Sequence, residues 1–500
     1  MRTALFLLLL LAVAAVPGSL VPQTSADPNG VAQYKIDHPE LYPILKNLQV
    51  FDTYTSVWFL AIYLLLFISL IGCVIPRTKH HLDALRAKPP RTPVRLNRMA
   101  GYTFVTVPGG SLANIVDRAR GILKSSGYRV VTFEKPGEAS VSAERGYLRE
   151  TGNLVFHIAL LGVLLAVGVG GGFGFVGQRV VTTGQTFVNT LVNYDSFNPG
   201  RFVNTNNLSP YSITVDSLDV KYSNSNSDAR GEPLDYTAHV TAKTPGSPAE
   251  KRTIKVNEPL EIGGTNVYLL GNGYAPEVTI RDAKGHIVFR DATPFLPQDS
   301  NLTSQGVIKV PDGLAKQLGI IGIFRPTAAK TMANGPISTY PGLKNPKLTL
   351  TVFSGDLGLD NGAPVSVYAL NVNKLKQIAG PAASSPGLDL KPGQTAKLPD
   401  GLGSITFDGV KRFASLDVHH DPTKTWVLIF SVLILGGLLT SLFVPRRRMW
   451  VKAIEQADGG IRIEYAGLAR GDDPGLDAAV DALAAKHHEL IEPEPVDVKA

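Results

Sequence analysis

Four runs of apolar residues stand out along the chain, and the segments between them are of mixed polarity. The runs predict membrane-spanning helices at 1–21, 56–76, 153–177 and 425–445. The last three approach or exceed the roughly 20 residues that an α-helix needs to cross the hydrocarbon core of a bilayer. The first is shorter and is followed by small residues, so it is either a secretory signal peptide or a retained anchor, and we favour the anchor. The pattern predicts a multi-pass α-helical membrane protein with four spans.

Residues 77–152 and 446–500 combine the alternation typical of β-strands with one amphipathic helical pattern each. We expect helices at Leu112–Lys124, after a capping Ser111, and at Leu476–Ala485. The expected strands are Tyr102–Val107, Tyr128–Phe133, Ala139–Ala143, Val451–Gln456 and Ile461–Tyr465. Each segment alone has few apolar residues for a core. The hypothesis that follows is that the insert 77–152 and the tail 446–500 pack as one small α/β sandwich.

The longest polar segment, 178–424, is rich in Asn, Gly, Pro, Ser and Thr and alternates apolar with polar residues. Recurring turn signals predict a large all-β domain, either a sandwich or a barrel-like body. The turn signals include Gly263-Gly264, Asn272-Gly273 and Asp360–Gly362, and the expected strands are Tyr236–Ala242, Arg252–Val256, Val267–Leu270, Val278–Ile280, Lys347–Phe353, Val365–Leu370 and Ile405–Phe407. Loops are expected at Ser300–Gly319 and Ala379–Leu398. Because the segment holds no recognisable catalytic motif, we interpret it as a binding or scaffold surface, with no catalytic residues assigned.

The positive charges set the predicted orientation. The chain has a formal charge of +7, and its Lys and Arg residues are concentrated just after the second and fourth apolar runs. Cytoplasmic segments are enriched in these residues, so 77–152 and 446–500 are expected in the cytoplasm. The loop 22–55 and the domain 178–424 are then extracytoplasmic. Since membrane topology accounts for the charge, we expect no nucleic-acid partner.

The cysteine count limits the redox chemistry. Cys73 is the only cysteine, which excludes an intrachain disulfide, a CxxC redox pair and a covalent CxxCH haem site. Whatever thiol chemistry the protein serves is therefore performed by another molecule.

His157 is the candidate ligand inside the membrane. An ionisable side chain in hydrocarbon costs roughly 2–3 kcal/mol or more when charged, so it points to a function with a partner group. Neutral imidazole is a common ligand of haem iron, and the alternative is a hydrogen bond to a neighbouring helix. His157 lies about four residues, or about 6 Å, into its span. Cys73 ends the second span at a similar depth and could meet the same cofactor, although a packing role is the alternative.

Further candidates lie around these spans. Glycines at 168–174 either allow close helix packing or leave room for a wide, flat ligand. The adjacent histidines His80-His81 and His487-His488 are expected in solvated positions, because neighbours in a strand point to opposite faces. His419 and His420 get slightly more weight because they stand just outside the fourth span, and His420 is the candidate cofactor ligand of the two. No metal other than haem iron is expected.

Several segments resemble the ResB, or CcsB-type, family of system II cytochrome c biogenesis proteins. They are Met1–Leu7, Phe51–Phe59, Ile68–Arg77, Gly146–His157 and Ser441–Trp450. The resemblance extends to the four spans, the large extracytoplasmic insert and the cytoplasmic tail. In the family the third-span histidine is taken as a haem ligand, and His157 occupies that place. The N-terminus is shorter than the family norm, which raises the expectation that the true start lies upstream.

The resemblance implies a subunit of a bacterial cell-membrane complex that carries haem across the membrane. The expected partners are a ResC or CcsA-type haem-handling protein, apocytochrome c with its CxxCH thiols, and a thioredoxin-like reductant acting on those thiols. The cofactor would be a transiently held b-type haem. The chain lacks the tryptophan-rich loop of the partner, so we expect an accessory subunit that does not attach haem alone. The rival interpretations are an extracytoplasmic ligand sensor and a membrane scaffold without haem.

Overall fold

The computed structural model describes residues 2–224, 230–329, 337–359 and 368–491. The chain divides into two compact units. The first contains Met1–Gly168 and Thr423–Ala500, and the second contains Val169–Pro422. The predicted turn at 360–362 and the first half of the predicted strand at 365–370 lie outside the described residues, and residues 368–370 do not form a strand.

The helices follow the predicted apolar runs. In chain order they are α1 (Arg2–Leu20), α2 (Pro28–Asp37), α3 (Leu41–Asn47), α4 (Val57–Arg86), α5 (Leu112–Ser125), α6 (Leu148–Phe173), α7 (Lys424–Phe443) and α8 (Leu476–Ile491). Helices α1, α4, α6 and α7 are each long and apolar enough to cross a membrane, which confirms the four predicted spans. The segment 22–55 contains α2 and α3, with a 3₁₀ turn at Val50–Thr55.

Two of the long helices differ from the predicted segments. Helix α4 continues through Pro76 to Arg86, although the prediction ended at 76. A proline removes only one backbone donor, and the hydroxyl of Thr78 donates to the Val74 carbonyl at 2.9 Å. Helix α6 begins five residues before the predicted 153 and ends at Phe173, before the predicted 177. Its last turn is rich in glycine, the residue that costs a helix most after proline.

The strands are given in chain order. The strands between residues 100 and 281 are β1 (Ala100–Val107), β2 (Arg129–Lys135), β3 (Glu138–Arg145), β4 (Phe175–Thr182), β5 (Thr186–Val188), β6 (Ser196–Pro199), β7 (Ser212–Tyr222), β8 (Pro233–Lys243), β9 (Glu250–Lys255), β10 (Leu260–Ile262) and β11 (Thr265–Arg281). The remainder are β12 (Ile287–Ala292), β13 (Leu296–Pro297), β14 (Ser304–Val310), β15 (Leu318–Arg325), β16 (Lys347–Ser354), β17 (Lys376–Ala379), β18 (Leu388–Leu390), β19 (Thr395–Leu398), β20 (Gly403–His420), β21 (Arg447–Glu455) and β22 (Ile461–Ala469).

In the first unit, the insert and the tail form one antiparallel sheet in the order β1-β22-β21-β3-β2. Tail strand β21 lies between tail strand β22 and insert strand β3, with Val451 opposite Val141. Helices α5 and α8 pack against this sheet, and both chain segments contribute to a single core. The hypothesis of one shared α/β sandwich is confirmed. Neither segment could bury its apolar face alone, because each supplies only part of the sheet.

The second unit is β-rich, as predicted. A seven-stranded sheet runs β10-β11-β20-β4-β6, with β12 beside β11 and β19 beside β20. A six-stranded sheet runs β13-β14-β15-β16-β17 with β18 beside β16, and a four-stranded sheet runs β5-β7-β8-β9. The long strands β11 and β20 pair along their length and contribute to two separate cores. The unit is therefore two sandwich-like halves joined along one strand pair.

The two predicted loops in this unit were wrong. Residues 300–319 contain β14, and residues 379–398 contain β18 and β19. In β14, the side chains of Val307, Ile308 and Val310 are buried against the paired strand β15. Gly306 in this strand sits over the Phe295 ring, where a Cβ would lie only 2.1 Å from a ring carbon. This glycine makes room for a core aromatic ring within the strand.

Candidate functional site

His157 lies in α6, one helical turn after Asn153, and its side chain is half-buried. Its Nδ1 is 2.7 Å from the backbone carbonyl oxygen of Asn153. A carbonyl only accepts, so Nδ1 carries the proton and donates it. Within the described part of the chain, Nε2 of His157 has no hydrogen-bond partner. In a neutral ring this contact selects the Nδ1–H tautomer, which leaves Nε2 as the nitrogen able to bind a metal.

Helices α4 and α6 run antiparallel, and three polar contacts fix their register. The Tyr63 hydroxyl donates to the Leu164 carbonyl. Farther along, Arg77 Nη1 donates to Asn153 Oδ1 at 2.9 Å, and His81 Nε2 lies 3.0 Å from Thr151 Oγ1. From these contacts one can read which residue of α4 lies at the same depth as a given residue of α6.

Cys73 is level with His157 in this register. It precedes Arg77 by four residues, and His157 follows Asn153 by four, so each lies about 6 Å from the Arg77–Asn153 contact along its helix. The thiol is free and half-buried. The predicted similar depth thus agrees with the helix register. A role for Cys73 at the cofactor stays a prediction.

The small residues of α6 pack against α7. A Cβ on Gly152 would lie 2.8 Å from the Gly437 carbonyl oxygen, and one on Gly162 would lie 2.5 Å from the Phe430 ring. His157 is five residues from both glycines, or about 140° around the helix. The helix therefore uses one side for close packing with α7 and presents His157 on another.

The glycines at the end of α6 are largely explained by the backbone path. Gly174 donates its N–H to the Gly170 carbonyl at 2.7 Å, and a Cβ on Gly174 would meet the Gly170 and His420 carbonyl oxygens at 2.6 Å. This spacing lets the chain leave the helix and enter β4. A flat ligand against the 168–174 stretch stays a prediction.

His420 ends strand β20, in the second unit. Its Nδ1 is 2.8 Å from the Gly264 carbonyl oxygen, and its ring stacks on Phe175 with 5.3 Å between centroids. It borders a cavity of about 230 Å³ whose other walls include Phe173 and Phe202. His420 thus has the same fixed tautomer as His157, beside an aromatic cavity. The neighbouring His419 is instead paired with Asp417 at 2.7 Å.

The expectation that both outer histidine pairs are solvated was wrong for two of the four side chains. His81 and His487 are buried, with exposed fractions of 8% and 0%. Nδ1 of His487 is 2.8 Å from the Tyr465 hydroxyl, and its Nε2 donates to the Ile115 carbonyl at 2.8 Å. Burial holds the pKa of His487 below its ordinary value. These pairs lie in helices, where neighbours are 100° apart and one member can face the core.

Arg149 and Glu150, at the start of α6, have specific partners in the tail. Arg149 donates to the Arg470 carbonyl, and the Glu150 carboxylate pairs with Arg446 and Arg470. The start of α6 is thus tied to the α/β sandwich by charged groups. Sequence reasoning missed these contacts because the partners are more than 290 residues apart.

A metal site built from protein groups alone is not seen in the described residues, which contain no cluster of three or more His, Cys, Asp or Glu side chains able to hold an ion. An iron bound by His157 would need its remaining ligands from elsewhere.

Four apolar helices, joined to a large β-rich unit and an α/β sandwich, define a multi-pass membrane protein. A model of the ResB-like family matches residues 1–481. The chain therefore belongs to the ResB-like family.

Curated relatives carry the name cytochrome c biogenesis protein CcsB. The protein of Synechococcus sp. (strain WH7803) is 30% identical over 275 residues, which cover 54% of this chain and 58% of the relative. That of Synechococcus sp. (strain CC9311) is 28% identical over 273 residues, covering 54% and 57%. That of Thermosynechococcus vestitus (strain NIES-2133 / IAM M-273 / BP-1) is 25% identical over 284 residues, covering 55% and 59%. The matches thus span slightly more than half of each relative.

Proposed function

We propose that this protein is a subunit of a system II cytochrome c biogenesis complex and that His157 is an axial ligand of haem iron within the membrane. Membership of the ResB-like family and the names of the CcsB relatives support the biogenesis role. The fixed tautomer of His157 carries the haem assignment, because metal-ligating histidines regularly donate their other N–H to a carbonyl or carboxylate. A packing histidine would use both nitrogens, as His487 does.

The packing of α6 supports a role for this chain in positioning the His157 ring. Its α7 side holds the helix in place through Gly152 and Gly162, so the direction of His157 is set by rigid packing. The Asn153 carbonyl accepts a hydrogen bond from Nδ1–H, which fixes the orientation of the ring and leaves Nε2 for a metal. A b-type haem, when bound, supplies the iron and a broad apolar face. The second axial ligand would come from a ResC or CcsA-type partner.

The roles of the other parts follow from the proposed orientation. The arginine-rich segments after α4 and α7 support an orientation with the α/β sandwich in the cytoplasm and the β-rich unit outside, in a bacterial cell membrane. Haem would pass from the cytoplasmic side toward the β-rich unit, which supports the partner or the apocytochrome. Attachment to CxxCH thiols would require the partner and a thioredoxin-like reductant, since the chain has one cysteine. His420, with its free nitrogen beside an aromatic cavity, is the second candidate ligand on this route.

The test is the absorption spectrum of the complex purified with its partner. Wild type is expected to show a Soret band, and His157→Ala to lose most of it because one axial bond is gone. Added imidazole should restore the band by entering the space left by the ring. His488→Ala is the matched control and should leave the spectrum unchanged.

Two results would contradict the proposal. An unchanged spectrum in His157→Ala would make His157 a packing residue and leave the scaffold role. Deletion of the protein should remove c-type but not b-type cytochromes from membranes. Retention of both would exclude a role in cytochrome c biogenesis.

A further inference from the structure

A polar cavity of about 280 Å³ lies in the first unit where α4, α6 and the end of α7 meet the tail. We call it the arginine pocket. Its charged lining comprises Arg77, Arg149, Glu150, Arg446 and Arg470. Four guanidinium groups thus face one carboxylate, an excess of three positive charges. Such an excess in a concave site attracts an anion.

Ion pairs hold the charged side chains of the pocket in place. These pairs do not neutralise the excess positive charge. Glu150 pairs with both Arg446 and Arg470. Arg446 and Arg448 share the neighbouring Glu144, at 2.8 Å and 3.2 Å. Burial raises the pKa of Glu144, but the hydrogen bond from Arg446 and the two positive charges outweigh it and hold the pKa below its ordinary value. Counting Arg448 and Glu144 with the pocket, five arginines face two carboxylates, so the excess is unchanged.

His81 provides a second, independent indication of a ligand. Its side chain lines the pocket and is only 8% exposed. Nε2 bonds to Thr151, while Nδ1 is buried without a hydrogen-bond partner among the described residues. A buried polar nitrogen left unpaired costs about 1–3 kcal/mol. In the tautomer in which Nε2 accepts from the Thr151 hydroxyl, Nδ1 carries the proton, and an acceptor in the pocket would satisfy it.

The pocket is contiguous with the His157 site. Asn153 lines it, and the same residue contacts Arg77 through its side chain and His157 through its carbonyl. Along α6, Arg149 and Glu150 precede His157 by eight and seven residues, or about 10–12 Å. A flat ligand whose metal is at His157 could therefore reach the pocket with groups on its edge.

We propose that the arginine pocket binds the propionate carboxylates of the haem that His157 ligates. This inference rests on the proposed function. Guanidinium groups bind carboxylates through paired, charge-assisted hydrogen bonds, which fits two acidic groups on one edge of an otherwise apolar ring. The pocket would thus orient the haem with its acidic edge toward the sandwich and its iron toward His157.

The experiment compares two probes that differ only in the acidic groups, iron protoporphyrin IX and its dimethyl ester. Each is titrated into the full-length protein, purified with its partner in detergent and stripped of bound haem, and the Soret band is followed. Wild type should bind the free acid at least tenfold more tightly than the diester. Arg149→Gln and Arg470→Gln should each weaken the free acid about tenfold and leave the diester unchanged. Arg470→Lys should keep part of the preference because it keeps the charge.

Arg120→Gln is the control, since Arg120 is exposed on α5 and pairs with Asp117. If neither probe gives a Soret band in wild type, the proposed function itself fails. Equal affinities for the two probes, or arginine variants that bind both like wild type, would overturn the pocket assignment while leaving His157 as the ligand. Loss of co-purified anionic phospholipid in the variants, with haem binding intact, would also overturn it and assign the pocket to a lipid headgroup.

Discussion

Two regions of the first unit each hold a histidine in an apolar setting, and they treat it in opposite ways. In the sandwich core, His487 has both ring nitrogens engaged, by Tyr465 and by Ile115. In α6, His157 has one nitrogen engaged by its own helix, and the other has no hydrogen-bond partner in the part of the chain that the structure describes. A histidine that the fold needs for packing is fully satisfied, whereas a ligand must keep one nitrogen for its metal. Hydrogen-bond saturation therefore separates the two roles better than burial does.

The largest expected effect is a loss of bound haem in His157→Ala that does not occur in His487→Ala. His157→Ala should lower the haem content of the purified complex more than tenfold with little loss of folding stability, because among the described residues the ring makes a hydrogen bond only to the Asn153 carbonyl of its own helix. His487→Ala should leave the haem content per folded molecule unchanged. Pyridine haemochrome quantification on size-exclusion peaks measures both. Equal haem loss in the two variants would show that the comparison is mistaken.

His487→Ala should instead lower the free energy of unfolding of the sandwich by about 2–4 kcal/mol. His487→Ala removes two hydrogen bonds and leaves a cavity with the Tyr465 hydroxyl and Ile115 carbonyl unsatisfied. Hydrogen–deuterium exchange of peptides from β21 and α8 in the full-length protein would report the free energy of opening. Lys486→Ala, an exposed neighbour, is the control and should change it by less than about 0.5 kcal/mol. Similar exchange in both variants would contradict a structural role for His487.

Two glycine-to-alanine substitutions in α6 should differ in their effect on stability. Gly162→Ala puts a methyl group 2.5 Å from the Phe430 ring and is expected to cost about 1–3 kcal/mol. Gly168→Ala meets Tyr63 only at 3.8 Å and should be nearly neutral. Thermal melting of the purified protein measures both. A neutral Gly162→Ala would mean that His157 is not positioned by the α7 contact.

The two histidine regions should also differ in pH dependence. The pKa of His487 is lowered in the folded state by burial, so the unfolded chain binds a proton more readily. Its contribution to stability is complete above the ordinary pKa of about 6.5 and falls as the pH drops below it, by at most about 1.4 kcal/mol per pH unit. Exchange of β21 amides at pH 7.5 and 5.5, corrected for intrinsic rates, would show this loss. His487→Gln should reduce it, and an unreduced loss would assign it to other groups.

Cys73 gives the smallest expected effect. It is level with His157, yet its thiol is half-buried and free. Cys73→Ala should shift the Soret maximum by little and change haem content less than twofold, because we assign the axial bond to His157. A large spectral shift would make Cys73 a ligand.

The sequence predicted those features that depend on local pattern. Continuous apolar runs identified α1, α4, α6 and α7, and short alternating runs identified every strand of the shared sandwich. It also singled out His157, because a titratable group in hydrocarbon is conspicuous. Membership of the shared sheet followed from a shortage of core residues in each segment.

What it missed depends on contacts between distant residues. Strand β14 was predicted as a loop, because Gly306 and its polar neighbours weaken the alternating pattern of a strand. In the structure Gly306 packs on the Phe295 ring. The burial of His81 and His487 could not be foreseen, since helix face alone does not say what packs on it. The arginine pocket was missed for the same reason, because it joins α4 and α6 to a tail that follows hundreds of residues later.

The sheet order has a consequence for biosynthesis. Strand β3 must wait for β21, which is made about 300 residues later and is inserted between β3 and β22. At roughly 5–20 residues per second, the insert spends about 15–60 s with an unpaired strand edge and half of its core exposed. A chain that stops before α7 can never complete the sandwich.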